Sequence, residues 1–443
     1  MELEALKQVM KENGIAGAGG AGFPAYAKLD KRADTIILNC AECEPLLKLH
    51  RQVLEKYAYE IVSTLELIAD AVEAKDVIIG VKPSYQKAVA AVEAVLPSFK
   101  KTKIGLLPEI YPAGDEVILI YETTKRVVPP GNIPITVGVT VFNVETILNV
   151  YNAIHKNEPV ITKFITVTGE VNNPVTLKVP IGITLQEVVD LAGGAKIDEP
   201  VYINGGPMTG HIANPFDSVT KTTNAILVMP KDHYIVTKRM SKISIDMKRA
   251  MSVCCQCNVC TDLCSRNLLG HPIEPHAFMR AASSGVVGDV KPMLGTMFCS
   301  QCGICEMYAC MQGLSPRTLI GAYKAGLRSK GIPIPKDAEY DEVHENRPLR
   351  TVPKARLTAR LGLSRYNFPA PLDETEIPAK KVKIMLSQHI GAPAEAVVKV
   401  GDMVKRGQTV GEGAADKLSV SVHASIDGKI VEVNDKYVTI QAQ

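Results

Sequence analysis

Eight cysteines in two short runs constrain this chain more than any other feature of its sequence. The first run has the spacing C-x2-C-x2-C-x3-C and consists of Cys254, Cys257, Cys260 and Cys264. The second has the spacing C-x2-C-x2-C-x4-C and consists of Cys299, Cys302, Cys305 and Cys310. Structural zinc sites typically use two C-x2-C pairs or mixed Cys/His sets, not two triplets each followed by a fourth cysteine. The two runs therefore predict metal–sulfur centres of another kind.

The spacing predicts two [4Fe–4S] clusters that exchange their fourth ligands. The first run has the spacing of bacterial ferredoxins, and in two-cluster ferredoxins the fourth cysteine of each run ligates the other cluster. On that pairing, the first cluster takes Cys254, Cys257, Cys260 and Cys310. The second cluster takes Cys299, Cys302, Cys305 and Cys264. Cys255, which stands beside a ligand, is interpreted as a packed or spare thiol.

The composition is that of an ordinary globular protein from a reducing compartment. The chain has 443 residues, of which 46% are hydrophobic and 22% charged, and this length allows roughly two to four domains. The net charge of +3 is too small to indicate nucleic acid or a membrane surface as a partner. The sequence predicts neither a signal peptide nor a membrane span. Eleven cysteines, eight of them at metal-ligand spacing, favour the cytoplasm.

A glycine-rich stretch near the start predicts a loop that approaches a ligand closely. Residues 14–22 hold five glycines, which is incompatible with a stable helix. Such a loop lets the backbone pass close to a large ligand and aim N–H groups at a phosphate or a ring. Lys28 follows as a candidate charge for a phosphate, and a merely flexible loop is the alternative.

Alternating strands and helices predict a largely parallel sheet in the first part of the chain. The predicted strands are residues 34–39, 76–81 and 103–107, and the predicted helices are 2–13, 51–74 and 84–95. The first strand ends in the polar stretch Asn39 to Pro45. Ligands of α/β proteins bind at the carboxyl ends of parallel strands, so this stretch is a candidate binding element.

Four blocks resemble, in order, the flavoprotein subunit of respiratory complex I. They are the glycine loop with Lys28, the stretch 39–45, the stretch Tyr111 to Glu116 and the stretch Asn143 to Thr146. The resemblance implies an FMN site made by Gly17, Gly19, Lys28, Asn39, Glu42, Gly114, Glu116 and Asn143. It also implies that Phe23, Glu44 and Tyr111 face NADH.

The chain departs from that family at several positions. Ala18, Ala41, Cys43 and Phe142 replace an arginine, an aspartate, a glycine and an asparagine, and Lys31 stands where the family has a second aromatic residue. These changes leave a flavin site intact and bear mainly on NADH. Cys40 and Cys43 form a C-x2-C pair with no second pair nearby, so they are interpreted as free thiols.

The remaining segments predict three further domains and a linker. Residues 159–235 resemble a β-grasp domain of the soluble-ligand-binding type, some members of which are associated with corrinoids or sugars, and a structural spacer is the expected role here. Residues 240–330 form the two-cluster ferredoxin-type domain, and 331–379 a linker with a basic helix whose charged face is solvated. Residues 380–443 resemble the barrel-sandwich hybrid of lipoyl and biotinyl carriers, with Lys417 at the position of the modified lysine but expected to stay unmodified.

The predicted fold class is therefore a multidomain α/β protein. It combines a complex-I-flavoprotein-like FMN/NADH domain (1–158), the β-grasp domain, the α-helical two-cluster domain and the all-β C-terminal domain. The set resembles the C subunit of the Rnf electron-transport complex. It matches the cobalamin reductases of propanediol-utilisation microcompartments more closely, because here the barrel-sandwich unit comes last.

That resemblance implies an NADH-dependent oxidoreductase that passes electrons through FMN and two [4Fe–4S] clusters to oxidised cobalamin or to a corrinoid-processing enzyme. It implies a cytoplasmic location inside a microcompartment, with a shell protein as a further partner and a homo-oligomer left open. Residues 1–9 are read either as a short targeting helix or as the first helix of the domain. Two other hypotheses stay open: an electron relay between protein partners that never binds NADH, and a corrinoid-binding module built on the β-grasp unit.

Overall fold

The computed structural model describes all 443 residues, beginning with a four-stranded parallel sheet. Buried runs such as Thr35–Cys40 and Asp76–Val81 form its centre because both faces are covered by helices. The strand order is β3-β2-β1-β5. The strands of this unit are β1 (Thr35–Cys40), β2 (Asp76–Val81), β3 (Thr102–Leu106), the separate short β4 (Ile110–Tyr111) and β5 (Val139–Asn143). The predicted parallel sheet is confirmed.

Six helices surround this sheet. They are α1 (Leu3–Glu12), α2 (Leu49–Lys56), α3 (Ala58–Val72), α4 (Gln86–Val95), α5 (Glu116–Thr124) and α6 (Val144–His155). The prediction of one helix over 51–74 is wrong, because Tyr57 leaves helical geometry (φ −119°, ψ 34°) and separates α2 from α3. Leu6 and Met10 of α1 are fully buried in the core. The first residues therefore form the first helix of this unit.

The second unit has one helix and a mixed sheet of order β12-β7-β6-β10-β8-β9, in which β12 (Leu372–Asp373) comes from a later segment of the chain. Its own elements are β6 (Thr162–Gly169), β7 (Val175–Pro180), α7 (Leu185–Leu191), β8 (Val201–Asn204), β9 (His211–Ala213) and β10 (Ala225–Met229). Thr184 starts α7 through a capping box with Glu187, as the sequence pattern predicts. The strand–turn–strand–helix order of the β-grasp prediction is confirmed.

The cysteine-bearing unit is helical. Its helices are α8 (Tyr234–Met240), α9 (Ile243–Val253), α10 (Val259–Asp262), α11 (Pro275–Ser284), α12 (Lys291–Gly295) and α13 (Pro316–Ser329). A π-helical turn at Cys305–Ala309 follows the second cysteine triplet. The predicted helices before, between and after the cysteine runs are all present.

Residues 331–379, predicted to be a linker, are packed against two other units. The segment contains β11 (Val352–Pro353), α14 (Lys354–Arg360) and β12 (Leu372–Asp373). β11 pairs with β4, and β12 pairs with β7 of the second unit. The prediction of a solvated basic face holds for Arg356 and Arg360, which are exposed, but is wrong for Lys354, whose Nζ donates to the Glu42 carbonyl at 2.8 Å.

The C-terminal unit is made of two small antiparallel sheets packed face to face. One has the order β13-β19-β18-β15 and the other β14-β16-β17. The strands are β13 (Lys381–Met385), β14 (Ala394–Ala396), β15 (Met403–Val404), β16 (Thr409–Gly413), β17 (Val422–His423), β18 (Gly428–Val433) and β19 (Tyr437–Gln441).

The first, second and C-terminal units share one continuous apolar core. A buried ion pair between Glu145 of α6 and Lys163 of β6 joins the first two units, with both side chains only 1% exposed. No helix is both long enough and apolar enough to cross a bilayer. The shared core holds the edge of the parallel sheet against the second unit, and the main cavity lies between them. The exact domain boundaries remain predictions.

Candidate functional site

A cavity of about 700 Å³ lies between the carboxyl edge of the parallel sheet and the second unit. All eight residues predicted to contact FMN line it, together with Phe23 and Glu44 from the predicted NADH set. The first eight come from four separate stretches of chain that the fold brings together. A cavity of this size suits a ligand as large as a mononucleotide.

The glycine loop forms one wall of this cavity, and a side chain would be crowded at Gly19 and Gly22. The Gly17 N–H donates to the Phe23 carbonyl at 2.8 Å, and the Ala18 N–H donates to Thr146 Oγ1 at 2.9 Å. A Cβ on Gly19 would lie 2.5 Å from Asn224 Nδ2. Gly22 adopts φ +68°, in the left-handed region that favours glycine. The loop is therefore a cradle whose backbone faces the cavity, as the sequence pattern predicts.

Two asparagines at strand ends line the floor. Asn39 Nδ2 donates to the Gly114 carbonyl at 2.9 Å, which ties the end of β1 to the predicted glycine–acid block. Asn143 Oδ1 accepts from the Glu145 N–H at the start of α6, so its Nδ2 is the donor at 2.9 Å from His50 Nε2. His50 consequently accepts through Nε2 and is neutral. Burial lowers the pKa of His50 to about 4.

Glu42 lines the cavity, but its carboxylate is hydrogen-bonded to groups of the protein. Its Oε2 accepts from Arg51 Nε at 2.7 Å and its Oε1 from the His50 N–H at 2.9 Å. Burial acts to raise the pKa of Glu42, but the charge and hydrogen bond of Arg51, with the charge of Lys354, outweigh it, and the pKa is lowered. Glu42 therefore stays ionised and supports the floor through Arg51 and His50.

Lys28 and Glu116 form a half-exposed ion pair at the cavity wall. Lys28 Nζ lies 3.1 Å from Glu116 Oε1 and also donates to the Val141 carbonyl at 2.8 Å. The adjacent Asp115 caps the start of α5 by accepting from the N–H groups of Val117 and Ile118. The pair supplies one positive and one negative group to the cavity.

The second unit forms the opposite wall, which corrects the expectation that it is only a structural spacer. It contributes Asn204, Gly205, Gly206, Thr209, His211, Thr222 and Asn224 to the lining. The buried Asn224 Oδ1 has no hydrogen-bond partner. A buried acceptor without a partner is costly, so this atom is available for a donor on a bound ligand. The Asn204-Gly205-Gly206 turn after β8 is part of this wall, and the sequence predicts no ligand for it.

The carboxylate of Glu44 accepts hydrogen bonds from the second unit. Its Oε1 accepts from the Thr209 N–H at 2.9 Å and the Thr209 hydroxyl at 2.6 Å, while Oε2 accepts from the Met208 N–H at 2.9 Å. The carboxylate therefore closes the seam between the two walls at the cavity. Phe23, 36% exposed, is the more accessible member of the predicted NADH set.

Tyr111, which the resemblance places facing NADH, does not line the cavity. It is 2% exposed, and its hydroxyl donates to the Cys302 carbonyl at 2.6 Å. The cause is the pairing of β4 with β11, which holds the ring in the core beneath the second cysteine run. Tyr111 therefore contacts the cysteine loop instead.

The first predicted set of cluster ligands surrounds one small cavity. Cys254, Cys257, Cys260 and Cys310 line it together, so the fourth cysteine of the second run lies beside the first run. No group of three metal-ligating side chains is close enough to hold a single ion. The shared cavity groups these four cysteines as the exchanged-ligand pattern of two-cluster ferredoxins predicts.

The members of the second predicted set, Cys264, Cys299, Cys302 and Cys305, also lie close together. Burial, with the neighbouring Cys302 and Cys299 contributing, raises the pKa of Cys264 to about 12. Burial also raises the pKa of Cys305, with contributions from Cys299, Cys302 and Cys264. The fourth cysteine of each run thus lies beside the triplet of the other. Cys255 is exposed.

Amide groups point at two of these sulfurs. The Gln301 N–H and Gln301 Nε2 lie 3.3 and 3.2 Å from Cys299 Sγ, and the Leu314 N–H lies 3.3 Å from Cys310 Sγ. Such N–H···S contacts stabilise thiolate charge and tune the potential of an iron–sulfur cluster. The cysteine donor sets and these amides fit two cubanes.

Direct contacts join the main cavity to the second cysteine set. Arg266, two residues after Cys264, places Nη2 2.8 and 2.9 Å from the two carboxylate oxygens of Asp115. Tyr111 contacts Cys302 from the same stretch of chain, which continues to the cavity residues Gly114 and Glu116. The Cys264–Cys305 group is therefore the one anchored to the cavity wall.

Cys40, Cys43 and Lys417 have no partners that suggest a separate site. Cys40 is buried, and Cys43 lies at the cavity with its pKa raised to about 11 by burial. Lys417 lies between β16 and β17 and is exposed. These placements agree with the interpretation as free thiols and an exposed loop lysine.

Comparison with known proteins agrees with this architecture. Four family models match: the Nuo51 FMN-binding domain (residues 10–152), the SLBB domain (164–211), the 4Fe-4S dicluster domain (253–315) and the RnfC barrel sandwich hybrid domain (369–443). The chain is 40% identical to the cobalamin reductase PduS of Citrobacter freundii, over 99% of this chain and 97% of the relative. The chain belongs to the PduS cobalamin reductase family.

More distant relatives share parts of the chain. The C subunit of the Na⁺-translocating ferredoxin:NAD⁺ oxidoreductase of Acetobacterium woodii is 32% identical over 60% of this chain and 59% of its own length. Among solved structures, a chain of an NAD⁺-reducing [NiFe]-hydrogenase in the H2-reduced state has a TM-score of 0.50 at 21% identity. It covers 76% of this chain and 64% of its own. This last likeness concerns the fold alone.

The family and the domain matches confirm the predicted fold class and an oxidoreductase with flavin and iron–sulfur chemistry. Sequence reasoning missed the residues that reach the cavity from elsewhere, chiefly His50, Thr146 and Asn224. Thr146 had a signal, since it ends the Asn-Val-Glu-Thr block. His50 and Asn224 had none, because neither lies in a block that carries the resemblance.

Proposed function

We propose that this protein takes electrons from NADH at an FMN held in the main cavity and passes them through two [4Fe–4S] clusters to oxidised cobalamin. The observation that carries the proposal is that the Asp115–Arg266 and Tyr111–Cys302 contacts tie the second cysteine set to the stretch of chain whose Gly114 and Glu116 line the cavity. The family relation supports cobalamin as the acceptor.

The cavity residues fit FMN as a resident group. The glycine loop offers a backbone wall with no Cβ in the way, Lys28 offers a positive charge for a phosphate, and Asn224 Oδ1 offers an acceptor that lacks a donor. Asn39 and Asn143 fix the floor. When bound, FMN supplies the step from two-electron to one-electron transfer, and the protein supplies binding, orientation and electrostatics.

The cluster ligands are proposed as predicted. Cys264, with Cys299, Cys302 and Cys305, would hold the cluster nearer to the cavity, because Arg266 and Tyr111 anchor that set. Cys310, with Cys254, Cys257 and Cys260, would hold the outer cluster. Cys257 and the adjacent Cys255 are exposed, so the outer set is the one that an external acceptor can approach.

The second candidate function is an electron relay between protein partners that never binds NADH. The buried position of Tyr111 favours it. One of the three residues implied to face NADH is turned into the core, and Lys31, which replaces a second aromatic residue, pairs with Glu73 at the surface at 2.5 Å. In that case electrons would enter from a protein partner and leave by the same clusters.

Anaerobic spectroscopy separates the two candidates. Protein reconstituted with FMN, iron and sulfide is mixed with NADH while the flavin and cluster absorbances are recorded. Loss of both absorbances, followed by reduction of added cob(III)alamin, is the expected result. Reduction by dithionite but not by NADH would overturn the dehydrogenase and leave the relay.

The location inside a microcompartment, a shell-protein contact and a homo-oligomer remain part of this proposal. Because α1 packs Leu6 and Met10 into the core, its apolar face is not free for a shell contact. Co-purification of the tagged chain with intact microcompartments tests the location directly.

A further inference from the structure

A second cavity of about 600 Å³ opens beside the main one, between the second unit and the C-terminal barrel-sandwich unit. The two cavities share Ala21, Asn204, His211 and Thr222 in their linings. One extended molecule can therefore reach from the flavin cavity into the second. Neither the family models nor the predicted site residues assign a ligand to this place.

The lining of the second cavity carries two lysine ammoniums that no carboxylate neutralises. Lys383 of β13 and Lys436, just before β19, line it, and neither forms an ion pair or a side-chain hydrogen bond. The one lining carboxylate, Asp217, accepts from the Asn214 N–H at 2.8 Å and holds its own turn. The lining thus carries two lysine ammoniums against one carboxylate, and paired ammoniums of this kind suit a polyphosphate or a diphosphate ester.

Apolar and aromatic side chains stand beside these lysines. Phe216 is 73% exposed and Ile390 is 49% exposed, and both line the cavity. Tyr437 carries the Lys383 ammonium over its ring at 4.7 Å. His389 is not a further cation, because its Nδ1 faces the Ile390 carbonyl and its Nε2 accepts from the Val420 N–H. Exposed rings beside a cationic groove suit a purine base attached to a diphosphate.

We propose that the second cavity holds the adenosine diphosphate half of NADH, with Lys383 and Lys436 on the diphosphate and Phe216 against the adenine. This rests on the proposed function, which places the nicotinamide at the flavin. It also gives the dinucleotide an aromatic contact in place of Tyr111, which is turned into the core. Cobalamin is a poorer occupant, since the whole molecule is much larger than this cavity.

The test compares NADH with reduced nicotinamide mononucleotide, which lacks the adenosine half. The measured quantity is kcat/KM for NADH divided by kcat/KM for the mononucleotide. Lys383→Ala is expected to lower this ratio about tenfold, because it removes a charge-assisted contact to phosphate. The double variant Lys383→Ala/Lys436→Ala and Phe216→Ala are expected to lower it as well. Lys429→Ala, an exposed lysine on β18 outside the lining, is the matched control and keeps the wild-type ratio.

A binding measurement keeps the two proposals separable. Titration calorimetry with ADP-ribose needs no electron transfer, and the lysine variants are expected to bind it at least tenfold more weakly than wild type. NADH oxidation with unchanged ratios and unchanged ADP-ribose affinity would overturn the subsite and leave the proposed function standing. Absent NADH oxidation with ADP-ribose binding that depends on Lys383 would overturn the proposed function and support the subsite. Weaker cobalamin reduction at unchanged ratios would assign the lysines to the acceptor and overturn the subsite.

Discussion

Lys221 is a buried amine at the junction of three units, and removing it should change how stability depends on pH. Its Nζ donates to the Gly14 carbonyl beside the glycine loop at 2.6 Å and to the Ser421 carbonyl of the C-terminal unit at 2.9 Å. No carboxylate pairs with it. Burial alone lowers the pKa of Lys221 from 10.5 to about 7.

The sign and size of the effect follow from proton linkage. Between pH 7 and 10.5 the unfolded chain holds a proton on Lys221 that the folded chain has released, so stability rises with pH in that window. The slope is about 1.4 kcal/mol per pH unit, or about 2 kcal/mol between pH 7.5 and 9. Below pH 7 the side chain is charged in both states, and the full burial cost of roughly 5 kcal/mol applies.

Lys221→Met removes this titration and leaves two carbonyls without their donor, at a cost of about 1–3 kcal/mol each. Wild type should therefore gain about 2 kcal/mol more free energy of unfolding than the variant when the pH rises from 7.5 to 9. Lys354, whose pKa burial also lowers to about 7, contributes a slope of the same sign to both proteins. The informative quantity is therefore the difference between them.

The assay is urea unfolding of the cofactor-free chain under reducing conditions, followed by far-UV circular dichroism at pH 7.5, 8.25 and 9. Lys11→Met is the matched control, because Lys11 also reaches the C-terminal unit, at the Ala415 carbonyl, but from an exposed position. It should keep the wild-type slope. Equal slopes for wild type and Lys221→Met would show that Lys221 does not titrate in this window and would refute the reasoning.

Three further predictions concern the cofactor sites. Cys264→Ser should remove the cluster held by the Cys299 triplet, and Cys310→Ser should remove the cluster held by the Cys254 triplet, so that each variant has half the iron content of wild type. Cys255→Ser, at an exposed cysteine, should keep the full iron content. Mössbauer or electron paramagnetic resonance spectra that assign the lost clusters the other way round would refute the exchanged ligands. Gly19→Ala places a Cβ 2.5 Å from Asn224 Nδ2 and should weaken FMN binding at least tenfold by fluorescence titration, whereas Gly288→Ala, with open space around it, should not. Tyr111→Phe loses the hydrogen bond to Cys302 and about 1 kcal/mol of stability; it should shift the potential of the adjacent cluster and leave the KM for NADH unchanged, and a large rise in that KM would place Tyr111 at NADH after all.

Local patterns carried much of the fold. The apolar runs of β1 and β2 and the capping box of α7 are decided by neighbours in sequence, so their prediction succeeded. The spacing of the cysteine runs also predicted that the fourth cysteine of each run ligates the other cluster. The grouping of Cys310 with Cys254 and of Cys264 with Cys305 agrees with that prediction. The first three residues of each run needed no knowledge of the rest of the chain.

The missed features depend on contacts between distant residues. Tyr111 is turned by β11, more than two hundred residues later, and Lys354 is half-buried because its Nζ donates to the Glu42 carbonyl. A basic residue in a proline-rich stretch carries no local sign of this. Asn224 became a cavity residue only because a shared core holds the second unit against the glycine loop.

The most direct test of the electron path is a comparison of wild type with Cys264→Ser, both loaded with FMN, iron and sulfide and mixed anaerobically with NADH and cob(III)alamin. Stopped-flow absorbance follows the flavin and the cobalamin separately. NADH is expected to reduce the flavin in both proteins, but only wild type is expected to reduce cobalamin rapidly. Cobalamin reduction at the wild-type rate by the variant would contradict a path through the cluster at the cavity wall.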